Sequence, residues 1–170
     1  MKAVKIVLGI IIGLSLIFFA TGLIVKETTY SVKVEIDKPI EEVFTKFQNV
    51  ELLKQWIPEV KSVDIIEEKP GKVGSTYKVV VENQGQEVAM TEKVLAFVEN
   101  EKVTFQFDAE QMFKTDDYNF TSEGGKTVIS QDSKVTAKSY MLGCTFPWFK
   151  GHFKKMSQEY LDRFKAIAEK

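Results

Sequence analysis

Glu92 is the residue of this sequence best suited to acid–base chemistry, because it interrupts an apolar alternation. The other alternate residues of the strand predicted for residues 87–97 are Val88, Met90, Val94 and Ala96. Alternation therefore directs the Glu92 carboxyl inward, where a carboxylate needs a partner or has a raised pKa. Such a group can act as a general acid or base, or orient a polar ligand group, with Tyr77 or Tyr118 as hydroxyl partner. The alternative is a strand twist or bulge that returns Glu92 to solvent.

Cys144 and His152 are the only cysteine and the only histidine, and they are eight positions apart in the sequence. No third residue is indicated that would orient the histidine, so the pair does not predict nucleophilic catalysis. Zinc prefers three or four nitrogen and sulfur ligands, which one cysteine and one histidine cannot supply. We therefore expect no metal site and no cofactor, and we expect His152 at the surface or at the margin of an apolar helix face.

The pattern of apolar residues predicts the elements that position these groups. Alternation predicts a first strand over residues 30–36, and Pro39 opens a short helix with a second helical turn near residues 51–55. Six further strands follow at 60–67, 75–82, 87–97, 102–109, 113–122 and 126–137. A long helix over residues 147–169 carries an apolar stripe formed by Phe149, Phe153, Met156, Tyr160, Phe164 and Ile167. The expected class is α+β.

An apolar cavity is the expected consequence of this order of elements. Six consecutive strands form a twisted antiparallel sheet, and a single terminal helix covers its concave face incompletely. Together with Glu92, the residues predicted to line the cavity are Tyr77, Val79, Val81, Met90, Val94, Phe105, Phe107, Tyr118, Phe120, Phe149, Phe153, Met156 and Tyr160. For each of them the alternative is ordinary core packing.

The amino-terminal segment Ile6 to Val25 contains twenty residues without a charge. At 1.5 Å per residue it matches a bilayer core of about 30 Å, so it predicts a transmembrane helix within an anchor over residues 1–29. A cleavable signal peptide is the alternative, although its apolar region usually has only about 7 to 15 residues. Lysines flank the segment on both sides, and Lys2 and Lys5 favour an inside amino terminus with residues 30–170 on the extracytoplasmic face.

The charge distribution argues against a nucleic-acid partner. The 170 residues have a formal net charge of −1, and lysines are spread singly among acidic residues, with only Lys154 and Lys155 adjacent to each other. Phosphate binding requires a concentrated cationic face, which this pattern does not provide.

Three stretches resemble the opening of the START-related, helix-grip superfamily (SRPBCC), which includes the polyketide cyclase/dehydrase and lipid-transport branch. They are Val34 to Phe44 (VEIDKPIEEVF), Trp56 to Val60 (WIPEV) and Gly71 to Tyr77 (GKVGSTY). The resemblance covers nearly all of residues 30–170. It implies a helix-grip fold: a curved seven-stranded antiparallel sheet, in the order β-α-α-β6-α, wrapped on a long carboxy-terminal helix. It also implies a cavity that holds lipids, steroids or polyketide-like molecules, and in some membrane-tethered relatives an amino-terminal hydrophobic span.

Binding is the favoured function, because hydrophobic capture needs no special residues. Ten buried methylenes at about 0.8 kcal/mol each contribute about 8 kcal/mol before ordering costs. We expect a membrane-anchored binding protein for a small hydrophobic or amphipathic ligand, whose partners are that ligand and the lipid bilayer. One alternative is a cyclase, dehydratase or hydrolase that uses Glu92 and a cavity tyrosine. Another is a membrane-surface sensor or interaction module with a filled cavity.

Overall fold

The computed structural model describes residues 2–83 and 85–170, which form an α+β fold. In chain order its elements are α1 (Lys2–Ile24), β1 (Thr28–Ile36), α2 (Ile40–Phe47), α3 (Val50–Trp56), β2 (Val60–Glu67), β3 (Thr76–Asn83), β4 (Gln86–Val98), β5 (Lys102–Ala109), β6 (Met112–Glu123), β7 (Lys126–Ala137), α4 (Tyr140–Thr145), a 3-10 helix (Phe146–Phe149) and α5 (Lys150–Ala168).

The seven described strands form one antiparallel sheet in the order β1-β7-β6-β5-β4-β3-β2. Strands β2 to β7 follow one another as neighbours in the sheet, and β1 completes the sheet by pairing with β7. The sheet is curved and α5 lies against it, which confirms the predicted helix-grip architecture.

Helix α5 is held on the β1 side of the sheet. Ser157, Leu161, Phe164 and Ala168 are its buried residues, and the Tyr30 hydroxyl of β1 lies 3.1 Å from the Ser157 hydroxyl. The Gln158 amide also donates to the carbonyl oxygen of Lys33 at 3.1 Å. The face of α5 that packs against the sheet is formed by residues 157, 161, 164 and 168. Of the predicted apolar stripe, Phe164 belongs to this face, whereas Phe153, Met156 and Tyr160 lie beside it and are half-buried.

The start of the last helix was predicted wrongly. Pro147 lies in the 3-10 helix, and α5 begins at Lys150. The preceding helix α4 was not predicted; the Ser139 hydroxyl begins it by accepting from the Leu142 N–H. Phe149 consequently lies outside the continuous helix with 52% of its surface exposed, and it does not line the cavity as predicted.

The main core lies where α2, α3 and α5 meet the inner face of the sheet. Phe47 packs at 4.9 to 5.5 Å, measured between ring centroids, against Trp56, Tyr118, Phe120 and Phe164. Phe120 also packs edge-on against Phe44 at 5.0 Å. Phe120 was predicted to line the cavity, and this prediction is wrong because α2 covers that part of β6 and encloses its ring in the core.

Helix α1 is 23 residues long and is apolar enough to cross a membrane. Its carboxy-terminal turns pack against α4: the Tyr140 hydroxyl donates to the Phe19 carbonyl oxygen at 2.6 Å, and the two rings stack at 6.4 Å. Gly22 is buried in this contact. Only glycine fits at this position, because a Cβ would collide with the Cys144 sulfur. Strand β1 begins at Thr28, so only Val25 to Glu27 link α1 to the sheet.

We expect Phe164→Ala to destabilise the fold by about 3 to 5 kcal/mol, because it leaves a cavity among tightly packed aromatic rings. Phe164 is fully buried, 5.5 Å from Phe47 and 5.4 Å from Trp56 between ring centroids. Urea unfolding of the full chain in detergent, followed by tryptophan fluorescence, measures the change. Phe113→Ala removes an exposed ring of the same size and is the control. Equal effects of the two substitutions would contradict this account of the core.

Candidate functional site

A cavity of about 800 Å³ separates the concave face of the sheet from α3 and α5. The predicted residues that line it are Tyr77, Val79, Val81, Met90, Glu92, Val94, Phe105, Phe107, Tyr118, Phe153, Met156 and Tyr160. Period-two alternation places the strand residues there, because side chains two apart lie on one face of a sheet. The sequence did not single out Trp56, Glu59, Lys114, Asp116 and Gln131, which also line the cavity.

Strand β4 contains an irregularity, but it does not remove Glu92 from the cavity. The register between β4 and β5 shifts between Val94 and Ala96, on the carboxy-terminal side of Glu92. Ala96 therefore leaves the apolar face on which alternation placed it, and Phe97 lines the cavity instead. The sequence-based alternative that a bulge returns Glu92 to solvent is wrong, because the bulge comes after this residue.

A row of paired residues crosses the cavity wall. Tyr77 on β3 pairs with Glu92, Glu92 pairs with Phe107 on β5, and Phe107 pairs with Lys114 on β6. Neighbouring strands lie about 4.8 Å apart, so the Cα atoms of Glu92 and Lys114 are about 10 Å apart, within reach of their long side chains. The register thus places a carboxyl group and an ammonium group in one apolar wall.

Lys114 and Asp116 form the centre of a polar cluster in this wall. Lys114 Nζ lies 2.8 Å from Asp116 Oδ2, and the Ser133 hydroxyl donates to Asp116 Oδ1 at 2.6 Å. The Gln131 amide donates to the Ser133 hydroxyl at 2.9 Å. Alternation along β6 could have identified these residues, because Lys114 and Asp116 lie four and two positions from Tyr118 and therefore on the same face of the sheet. Charged residues at alternating positions are ordinarily assigned to the solvent face, so the cluster was missed.

The electrostatic state of the cluster differs from one group to the next. Burial, together with the Asp116 charge, raises the pKa of Glu92 to about 7. Burial alone would lower the pKa of Lys114, but Asp116 and the Tyr30 hydroxyl outweigh it and raise the pKa, so this ammonium stays charged. Burial and Asp116 also raise the pKa of Tyr118. Among Glu92, Lys114 and Tyr118, Glu92 is therefore the group whose charge changes near neutral pH.

Glu92 has no ion pair or side-chain hydrogen bond within residues 2–83 and 85–170. Lys114 is already paired with Asp116, which leaves the Glu92 carboxyl free to interact with a bound molecule. A carboxyl with a pKa near 7 can donate or accept a proton at neutral pH.

Trp56 and Glu59 form a second polar position on the cavity wall. Among the described side chains, Trp56 Nε1 and Glu59 Oε2 are the buried atoms that lack a hydrogen-bond partner. Burial and the Glu59 carboxylate together raise the pKa of the nearby Tyr160 hydroxyl. Since buried polar atoms are normally paired, a donor and an acceptor remain available here for a ligand.

Cys144 and His152 are not brought together. Cys144 is buried against Gly22 of α1 and does not line the cavity. His152 lies on the first turn of α5, exposed to solvent at the cavity rim, in agreement with the expected marginal position.

A curved antiparallel sheet that grips a long helix around an apolar cavity defines this chain as a helix-grip protein. Residues 27–169 match the model of the family described as polyketide cyclase/dehydrase and lipid transport, and the chain belongs to that family. The resemblance noted in the sequence is thereby confirmed. No curated protein matches the chain in sequence.

Solved structures share the fold at low sequence identity. The Zhui aromatase/cyclase from Streptomyces sp. R1128 is 12% identical with a TM-score of 0.71, over 84% of this chain and 94% of that one. A START superfamily protein from Mycobacterium smegmatis is 20% identical with a TM-score of 0.67, over 82% and 98% of the two chains. Ara h 8.0201 is 17% identical with a TM-score of 0.65, over 84% and 97%.

The raised pKa of Glu92 predicts a pH-dependent stability. The folded state retains the proton up to about pH 7, whereas an unfolded glutamate releases it near 4.5. The free energy of unfolding should therefore fall as the pH rises from about 4.5 to above 7, by about 3 kcal/mol relative to Glu92→Gln. Urea unfolding of both proteins at a series of pH values measures this difference. Glu87→Gln, at an exposed position of the same strand, is the control. Parallel pH profiles for wild type and Glu92→Gln would contradict the assignment.

Proposed function

We propose that this protein is a membrane-anchored binding protein for a small hydrophobic or amphipathic molecule, a lipid or lipid-like metabolite. Residues 1–29 form the anchor, and residues 30–170 hold the ligand between the sheet and α5. The cavity of about 800 Å³ carries the proposal. Its volume falls in the range typical of small-molecule sites.

The lining indicates an amphipathic ligand. Aromatic and aliphatic side chains cover most of the wall and supply a surface for an apolar body. Polar contacts are available at two positions: the Glu92 carboxyl, and the unpartnered atoms of Trp56 and Glu59. A ligand hydroxyl that donates to Glu59 or Glu92, or a carbonyl that accepts from Trp56, would satisfy these groups.

The length and composition of α1 support the anchor proposal, and only 6% of its most apolar segment is buried in the fold. An apolar helix that the protein does not cover requires another apolar environment, which the bilayer supplies. We propose an inside amino terminus, with the ligand-binding part on the extracytoplasmic face. Protease protection of the full chain in oriented membranes tests this orientation.

Partly filling the cavity should weaken ligand retention. Val81→Trp places a large ring in the cavity, whereas Val80→Trp, one residue earlier on β3, places it on the opposite face. Displacing about two ligand methylenes, at about 0.8 kcal/mol each, should raise the Kd for the ligand more than tenfold and lower the retained amount accordingly. Native mass spectrometry of the full chain released from nanodiscs measures the retained molecule. If wild type carries no molecule, or if Val81→Trp retains it as fully as Val80→Trp does, the cavity is not the binding site.

A catalytic function is the second candidate, and the pKa of about 7 at Glu92 favours it. In that case Glu92 would serve as the general acid or base of a cyclase, dehydratase or hydrolase, with Tyr77 or Tyr118 nearby on the wall. Glu92→Gln should then stop turnover of the identified ligand while its retention is unchanged. Unchanged turnover in Glu92→Gln would exclude this role. The third function expected from the sequence requires a filled interior, against which the cavity volume argues.

A further inference from the structure

An exposed apolar surface lies on α4 and the 3-10 helix, outside the cavity. We define the α4 surface as Tyr140, Met141, Trp148 and Phe149, of which Trp148 has 62% of its surface exposed. Residues 139–149 contain no charged side chain, and lysines flank them at positions 138 and 150. Such exposure of large apolar side chains in one short segment indicates a contact with another apolar phase.

The α4 surface is continuous with helix α1. Tyr140 binds the Phe19 carbonyl oxygen at 2.6 Å, and the absence of a side chain at Gly22 lets α4 approach, with Cys144 N 3.1 Å from where a Cβ would lie. At 1.5 Å per residue, Phe19 and Gly22 lie roughly 9 Å and 5 Å before Val25 along the helix axis. If residues 6–25 span the bilayer core, the part of α4 that contacts them lies in the outermost hydrocarbon, directly beneath the headgroup layer.

We propose that the α4 surface is embedded in the membrane interface beside the anchor, and that its occupant is the lipid bilayer. This inference rests on the proposed membrane anchor. Tyrosine and tryptophan are enriched at the membrane interface, where their rings lie at headgroup level. Lys150, Lys154 and Lys155 follow directly on α5 and are exposed, which places cations where lipid phosphates lie.

This placement brings one end of the cavity to the lipid surface. Met112, at the start of β6, pairs with Ala137, the last residue of β7 before the segment that leads into α4. Phe153 lies one turn into α5 from the 3-10 helix, packs edge-on against Phe146 at 5.6 Å, and lines the cavity together with Met112. A hydrophobic ligand would therefore move between bilayer and cavity at this end without crossing bulk water.

Bromolipid quenching of Trp148 tests the proposal. The sequence has two tryptophans, and Trp56 lines the cavity, so Trp56→Phe leaves Trp148 as the only reporter and prevents a lipid inside the cavity from quenching the signal. The full-length variant is reconstituted into phosphatidylcholine vesicles with and without brominated acyl chains. We expect blue-shifted emission that bromolipid quenches and aqueous iodide does not.

The matched control has the reporter at the opposite end of the sheet. In a Trp56→Phe, Trp148→Phe background, Val73→Trp replaces a residue with 47% exposure in the turn between β2 and β3. We expect this tryptophan to be quenched by iodide and not by bromolipid. If Trp56→Phe does not fold, wild type and Trp148→Phe are compared instead, and their difference gives the Trp148 signal.

The outcomes separate this inference from the proposed function. Vesicle flotation reports insertion of α1, and its failure would overturn both the anchor and the interfacial placement. If the protein floats but iodide quenches Trp148 and bromolipid does not, the α4 surface faces water, and the inference is wrong while the anchor stands. If neither agent quenches Trp148, protein and not lipid covers the α4 surface, which also overturns the inference. Ligand retention is measured separately and is independent of these results.

Discussion

The attachment of α5 to one side of the sheet is the constraint on which the rest of the structure depends. Residues 157, 161, 164 and 168 of α5 pack towards β1, and the contact between Tyr30 and Ser157 joins helix and strand. The sheet continues from β7 to β2 and curves away from this line of contact. Because a straight helix cannot follow a curved sheet, space remains over β3 to β6, and α2 and α3 close it only in part. The cavity is thus a consequence of curvature and not of one particular side chain.

A few polar groups interrupt the apolar wall of the cavity. Lys114 and Asp116 compensate each other's charge, and Ser133 and Gln131 extend their hydrogen bonds. Glu92 remains outside this network, so the penalty of burying its charge is uncompensated and appears as a raised pKa. The charge of this wall therefore depends on the pH, because Glu92 gains or loses its proton while Lys114 and Asp116 remain paired.

The family assignment and the fold leave the chemistry open, because related folds carry both catalytic and binding functions. The three solved structures described above are 12 to 20% identical to this chain, and at that distance they establish the architecture. Three local features of this chain bear on its function: the row of residues that contains Glu92, the unpartnered atoms of Trp56 and Glu59, and an apolar helix that packs against α4 beside the cavity end. These features are the basis on which a ligand and a membrane arrangement are proposed.

The sequence by itself determined the order of the seven strands and of helices α2, α3 and α5. It also determined that Tyr77, Glu92 and Tyr118 face the cavity, because period-two alternation decides which strand residues share a face. It also determined the apolar length of α1, which depends on composition alone. Only the tertiary structure decided that the β4 bulge follows Glu92, that Phe120 is covered by α2, and that Phe149 lies in a 3-10 helix before α5. The tertiary structure also decided that Lys114 and Asp116 face the cavity and that α1 packs against α4. These outcomes depend on pairing register and on side chains distant in the chain, which local periodicity does not encode.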